Sequence, residues 1–183
     1  MRREYIPNII TILRLLLIGP IVASLVLGRY PTACWLFIIA GLTDAVDGYL
    51  ARKFQWISRF GAMVDPVADK LLMISTFLTL GFIGIIPWWL IVMVVARDII
   101  IVAGGVAYHF LIGTYEFAPS KISKLNTFLQ IILIILLMLH IGFQWLPWSM
   151  LNVLMIGVFC TSALSLCHYL WVWGWKALYA RTR

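Results

Sequence analysis

Along the chain, apolar residues fall into six long runs separated by short polar or turn-forming stretches. About 20 apolar residues are what an α-helix needs to cross the hydrocarbon core of a bilayer. The runs predict six transmembrane helices, at about 7–27, 32–54, 66–83, 88–112, from Ser120 or Ser123 to 142, and 147–173. The breaks carry turn chemistry: Gly28 to Pro31, Gly84 to Pro87, and residues 113–119. Pro7 and Pro147 suit helix starts. No internal repeat or linker interrupts the series. The expectation is an all-α integral membrane protein, with residues 1–183 forming a single membrane-embedded domain.

Composition agrees. The chain is 63% hydrophobic and 11% charged, where a soluble domain is about 25% charged. The net charge of +7 is explained by where the basic residues lie. Arg2, Arg3, Arg52, Lys53, Arg59, Lys121, Lys124, Lys176, Arg181 and Arg183 all fall on one side of the six spans, and only Arg29 on the other. The positive-inside rule then puts both termini in the cytoplasm, and Trp88, Trp89, Trp145 and Trp148 in the outer aromatic belt. Basic residues at an anionic lipid surface leave no reason to invoke nucleic acid. Cys34, Cys160 and Cys167 lack CxxC spacing and support neither a zinc site nor a disulfide framework. There is no P-loop motif. The first apolar run is too long for a signal h-region and reads as a retained anchor. With no Arg- and Ser-rich transit segment, a bacterial inner membrane is the expected location.

Against this background the acidic residues stand out. There are seven, and Asp44, Asp47, Asp65 and Asp69 lie within residues 44–69. Spacings of three and four residues put each pair on one helix face. The short loop between the helices makes them antiparallel neighbours, so the pairs can face each other. Four carboxylates in a poorly hydrated space repel, and must hold protons or cations. Hard oxygen ligands suit Mg²⁺ or Mn²⁺, and two such ions can clamp a phosphate or diphosphate. Gly48, Ala51 and Gly61 allow close approach of helices or substrate. Arg52 offers a donor fork to phosphate. Asp69 could both ligate a metal and accept a proton from an attacking hydroxyl. Helix capping, or pairing with Arg52, Lys53, Arg59 and Lys70, would explain a single Asp here better than four at this spacing.

The run Asp44-x₂-Asp47-Gly48-x₂-Ala51-Arg52-x₈-Gly61-x₃-Asp65-x₃-Asp69 resembles, without departure, the motif of the CDP-alcohol phosphotransferases. That family has six spans, so the resemblance covers essentially the whole chain. It implies that Asp44 and Asp65 each bridge two divalent cations, Mg²⁺ or Mn²⁺. Asp47 would complete the first metal site and Asp69 the second, with Asp69 also the general base. Gly48, Arg52 and Ser58 would contact CDP-diacylglycerol, Ser58 by its place in Ser-Arg-Phe-Gly. The acceptor hydroxyl would attack the β-phosphorus and CMP would leave, at an active site facing the cytoplasm. Family members are commonly homodimers.

Other polar residues bear on the acceptor. Arg14 lies about two turns into the first helix, with Thr11 one turn and Asn8 two turns before it. It either snorkels to the surface or faces the same cavity. Related enzymes use this helix start to hold the nucleotide lipid, which implicates Asn8 and Thr11. Arg97 and Asp98 sit near the middle of the fourth helix. Being adjacent, they are expected on different faces, with Arg97 contacting substrate or forming a structural pair. Ser120, Lys121, Ser123 and Lys124 open the fifth helix as a possible anion site. Phosphatidylglycerophosphate synthases of the family typically show Gly-Lys-x-Lys-Thr-x-x-Gln. Here Ser123-Lys124-Leu-Asn126-Thr127-Phe-Leu-Gln130 stands in its place, with Asn126 for the second lysine. Glycerol-3-phosphate, a phosphomonoester dianion, benefits from that extra cation, whereas phosphatidylglycerol is a diester monoanion. The segment looks like that of the eukaryotic-type cardiolipin synthases. Phosphatidylglycerol is therefore the expected acceptor, glycerol-3-phosphate the alternative, with Arg97, Lys124, Asn126 and Arg14 as acceptor-binding residues. A small cation transporter, the reading from another class, would need a polar path to the outer face. Beyond Arg97 that half is nearly all apolar and aromatic.

Overall fold

A computed structural model describes the backbone of residues 5–54, 59–112, 120–144 and 146–181, and the side chains of 11–44, 53, 67–104, 120–144 and 146–171. The described residues form six helices: α1 (Tyr5–Val26), α2 (Tyr30–Phe54), α3 (Arg59–Phe82), α4 (Trp88–Ile112), α5 (Lys121–Phe143) and α6 (Trp148–Arg181). Lys121–Phe143 and Trp148–Trp171 are long and apolar enough to cross a membrane, and Thr11–Val26 is a shorter apolar stretch.

Local chemistry sets the helix ends. Gly28 (φ 71°) and Gly84 (φ 79°) adopt the left-handed conformation that closes α1 and α3. In each case the next amide reaches back five residues, Arg29 to the Ser24 carbonyl at 2.8 Å and Ile85 to the Leu80 carbonyl at 2.9 Å. This arrangement satisfies carbonyls that a helix end otherwise leaves open. Pro87 and Pro147 precede α4 and α6, and their carbonyls accept the amides of Leu90 and Met150, each at 3.1 Å. Ser120 caps α5, its hydroxyl accepting the Ser123 amide at 3.1 Å.

Two boundaries differ from the hydropathy reading. α3 starts at Arg59, not near 66, and α6 runs on to Arg181 rather than ending near 173. Hydropathy registers the apolar part of a helix only. Helical backbone continues through the polar segment that holds Asp65 and through the basic end of α6.

Packing divides the chain into two compact units, Met1–Ile86 with Ile134–Leu146, and Pro87–Leu133 with Pro147–Arg183. In the first unit α1 packs against both α2 and α3. Its core includes Ile21, Leu25, Phe37, Leu72, Phe77 and Leu137, all at 3% exposure or less. At Gly142 the α5 end comes so close to α2 that an added Cβ would lie 3.0 Å from Pro31 Cγ. In the second unit α4 packs on α6, with Leu90, Ile91, Val94, Leu151 and Val158 buried. Trp89 meets Phe159 edge-on, with ring centroids 5.3 Å apart. Large apolar side chains such as Leu16, Trp35, Phe82, Val153 and Trp171 point outward, as helices surrounded by hydrocarbon would have them.

Candidate functional site

Helical backbone runs through all four acidic positions, 44 and 47 on α2, 65 and 69 on α3. Spacings of three and four residues thus fall on single helix faces. α2 and α3 both pack on α1, the common support of the two pairs. The Asp44 and Asp69 side chains are described, both at intermediate burial. Those of Asp47, Asp65, Gly48, Arg52 and Asn8, and the whole of Ser58, lie outside the described residues.

Asp44 is held by Arg14. The guanidinium Nη2 sits 2.6 Å from Asp44 Oδ1, with the Arg14 side chain fully buried and that of Asp44 41% exposed. Arg14 is therefore not snorkelling to the surface. It supplies a buried positive charge beneath a carboxylate whose outer part stays accessible. Thr11, one turn earlier, is buried as well. Among the described residues no three potential ligands come together; the part-exposed Asp44 carboxylate is a hard oxygen donor of the kind Mg²⁺ or Mn²⁺ takes. Asp44 keeps surface to offer while Arg14 offsets its charge.

The second unit holds a separate polar cluster. Arg97, 2% exposed, is its centre. Its Nη1 donates to Asp98 Oδ1 at 2.5 Å. Its Nε and Nη2 donate to the Ser165 hydroxyl on α6 at 3.3 and 2.9 Å, and Nη2 donates also to the Ser123 hydroxyl on α5. One buried guanidinium thus links three helices. The pairing with Asp98 corrects the expectation that sequence neighbours point to different faces. Their Cβ atoms do diverge, but the long arginine stem folds back and brings its fork to the carboxylate.

Asn126, fully buried, ties α5 to α6 a second time. Its Oδ1 accepts the Thr161 hydroxyl at 2.8 Å and the Ser162 hydroxyl at 2.9 Å. The Tyr169 hydroxyl makes a third tie, accepting the Ser120 amide at 3.2 Å. Lys124 is exposed. The structure therefore brings Arg97, Asp98, Ser123, Asn126, Ser162 and Ser165 into one unit. Sequence reasoning missed Thr161, Ser162 and Ser165, and met Gln130 only as a motif position. The clue was available, since Ser162 and Ser165 share a face at three-residue spacing within an apolar run. The buried hydroxyls of Thr76 and Thr79 have a plainer role, donating to the carbonyls of Leu72 and Ser75 one turn back.

The family model described as CDP-alcohol phosphatidyltransferase matches residues 4–163. A Schizosaccharomyces pombe "cardiolipin synthase (CMP-forming) / mitochondrial hydrolase fusion protein" is 38% identical over 149 residues, covering 72% of this chain and 25% of the relative. A "CDP-diacylglycerol--glycerol-3-phosphate 3-phosphatidyltransferase" of Cereibacter sphaeroides is 34% identical over 148 residues, covering 77% and 66%. The Rattus norvegicus "cardiolipin synthase (CMP-forming)" is 30% identical over 181 residues, covering 90% and 60%. In each comparison this chain spans less than two thirds of the relative's own length.

Proposed function

We propose, since this chain belongs to the CDP-alcohol phosphatidyltransferase family, that it moves a phosphatidyl group from CDP-diacylglycerol to phosphatidylglycerol, forming cardiolipin and CMP. The observation that carries the reaction class is the uninterrupted motif from Asp44 to Asp69, inside the matched region. Bound Mg²⁺ or Mn²⁺, two ions shared by Asp44, Asp47, Asp65 and Asp69, would neutralise charge on the diphosphate. Gly48, Arg52 and Ser58, with Asn8 and Thr11 on α1, hold the nucleotide lipid. Arg14 steadies the Asp44 carboxylate. Asp69 takes the proton from the acceptor hydroxyl as its oxygen bonds to the β-phosphorus, and the bond from that phosphorus to the CMP oxygen breaks. Asp69 returns its proton to solvent before the next cycle.

Arg97, Lys124, Asn126 and Arg14 serve the acceptor. Support for phosphatidylglycerol comes from charge. Arg97 is offset by Asp98, and position 126 carries a neutral amide. A phosphodiester monoanion suits such surroundings better than a dianion, whose burial needs more positive charge. The second reading, transfer to glycerol-3-phosphate, is favoured by the name of the Cereibacter sphaeroides relative. Six spans with both termini cytoplasmic, a single membrane domain, a homodimer and a bacterial inner-membrane location complete the reading. Similarity to relatives from both bacteria and eukaryotes keeps the location tied to the source of the chain.

The test is CMP release by purified protein given CDP-diacylglycerol and Mn²⁺ or Mg²⁺, with phosphatidylglycerol or glycerol-3-phosphate in separate reactions. Release with phosphatidylglycerol is expected. Release only with glycerol-3-phosphate overturns the cardiolipin assignment and leaves the reaction class standing.

A further inference from the structure

The neutral face of α5 holds more than Asn126. Gln130 lies one turn further on and is 1% exposed. The amide nitrogens of both side chains, Asn126 Nδ2 and Gln130 Nε2, are buried with no hydrogen-bond partner among the described residues. Residues four apart stand above one another on a helix. Two primary amides, with four N–H groups between them, are thus stacked on one buried face.

The Asn126 oxygen faces α6. The Ser162 hydroxyl donates to Asn126 Oδ1 at 2.9 Å and makes no other hydrogen bond among the described residues. With Oδ1 turned toward α6, Nδ2 is left to donate elsewhere. Buried donors are nearly always satisfied, and an unsatisfied pair in an apolar helix calls for an occupant rich in acceptors. Water could serve one amide. Two stacked amides suit a group with two or more oxygens a few ångströms apart.

We propose that Asn126 and Gln130 form an uncharged donor clamp for the phosphodiester of a glycerophospholipid, and that Gln130 is an acceptor-binding residue. This rests on the cardiolipin reading above and extends it from position 126 to a two-residue subsite. Amide donors add hydrogen bonds without adding charge. They match a phosphodiester monoanion and leave a phosphomonoester dianion under-compensated. Position 126 sets the charge of the clamp, neutral here where the phosphatidylglycerophosphate synthases carry lysine, and Gln130, which they share, adds donors.

The probe is Gln130→Met, which keeps volume and removes donors that hold no partner among the described residues. Wild type and variant are compared for CMP release at varied phosphatidylglycerol, and for phosphatidylglycerol binding by native mass spectrometry without CDP-diacylglycerol. The variant should raise the KM for phosphatidylglycerol about tenfold, the loss of one or two hydrogen bonds. It should leave the KM for CDP-diacylglycerol unchanged, and its thermal midpoint should equal or exceed that of wild type, because an unpaired buried amide is gone. An unchanged acceptor KM overturns the clamp. So does a lowered midpoint in the absence of phosphatidylglycerol, which would give Gln130 a structural role. The two readings fail separately. If wild type uses only glycerol-3-phosphate, the cardiolipin reading falls, and binding decides the clamp alone. Weaker phosphatidylglycerol binding by Gln130→Met keeps it, and equal binding discards it.

Discussion

Replacing Arg97 by leucine tests how the second unit is held together. The guanidinium is 2% exposed and Asp98 3% exposed, with 2.5 Å between Nη1 and Oδ1. Removing one member of a buried ion pair leaves the other charge in a medium that solvates it poorly, at a cost of about 3–5 kcal/mol. Ser123 and Ser165 lose a charged donor as well. Their hydroxyls can rotate toward other acceptors, so about 1 kcal/mol covers that loss. Arg97→Leu should therefore cost roughly 4–6 kcal/mol. For a chain of this size each kcal/mol is roughly 2–4 °C of thermal midpoint, so the drop should be on the order of 10 °C or more. The double variant Arg97→Leu/Asp98→Leu removes both charges and should recover most of the loss, a coupling of about 3 kcal/mol. Arg97→Lys keeps the charge beside Asp98 but forfeits the fork to Ser123 and Ser165, and should fall between. The assay is thermal unfolding of detergent-solubilised protein, checked by reversible unfolding in a denaturing detergent. A double variant as unstable as the sum of the two singles would refute a charge-pairing account of the cluster. A single variant within 1 kcal/mol of wild type would refute the claim that Arg97 fastens three helices.

Three further outcomes are expected. Asp69→Asn should lower the rate of CMP release by about 10²–10⁴ while CDP-diacylglycerol binding persists; normal turnover would remove Asp69 as the base. Arg14→Gln should destabilise metal-free protein by about 1–2 kcal/mol, a figure kept low because Asp44 is 41% exposed. Saturating Mn²⁺ should narrow that gap by replacing the lost counter-charge, and thermal unfolding with and without metal reads the difference. Gly142→Val should cost about 1–3 kcal/mol, since even a Cβ there would lie 3.0 Å from Pro31 Cγ; Gly142→Ala should cost less, and a neutral valine variant would mean that Pro31 moves aside freely.

Much of this was legible from residue types, and the reasons differ by element. Gly28, Gly84, Pro87 and Pro147 announce helix ends because few other residues do their backbone work. The carboxylates at 44–69 are conspicuous because charge is rare in so apolar a chain. The start of α3 at Arg59 was obscured by the same polarity, since a hydropathy profile ends where charge begins although the backbone stays helical. The Arg97–Asp98 pair escaped a face-by-face reading because periodicity describes Cβ directions and not the reach of a long side chain. Ser162 and Ser165 escaped because small hydroxyl residues scarcely change hydropathy, and they gain meaning only once Asn126 and Arg97 are placed beside them. Gln130 is the sharpest case. Its residue type was plain in the sequence, but only the buried surroundings reveal an amide nitrogen without a partner among the described residues.

The polar ties that α6 makes in the second unit lie between Thr161 and Tyr169. That is about 12 Å of helix at 1.5 Å per residue. Sliding α6 by one residue would turn its face by roughly 100° and displace Thr161, Ser162, Ser165 and Tyr169 together. The helix has no nearby register in which some ties survive while others move. It behaves as a key cut for one lock position against α4 and α5.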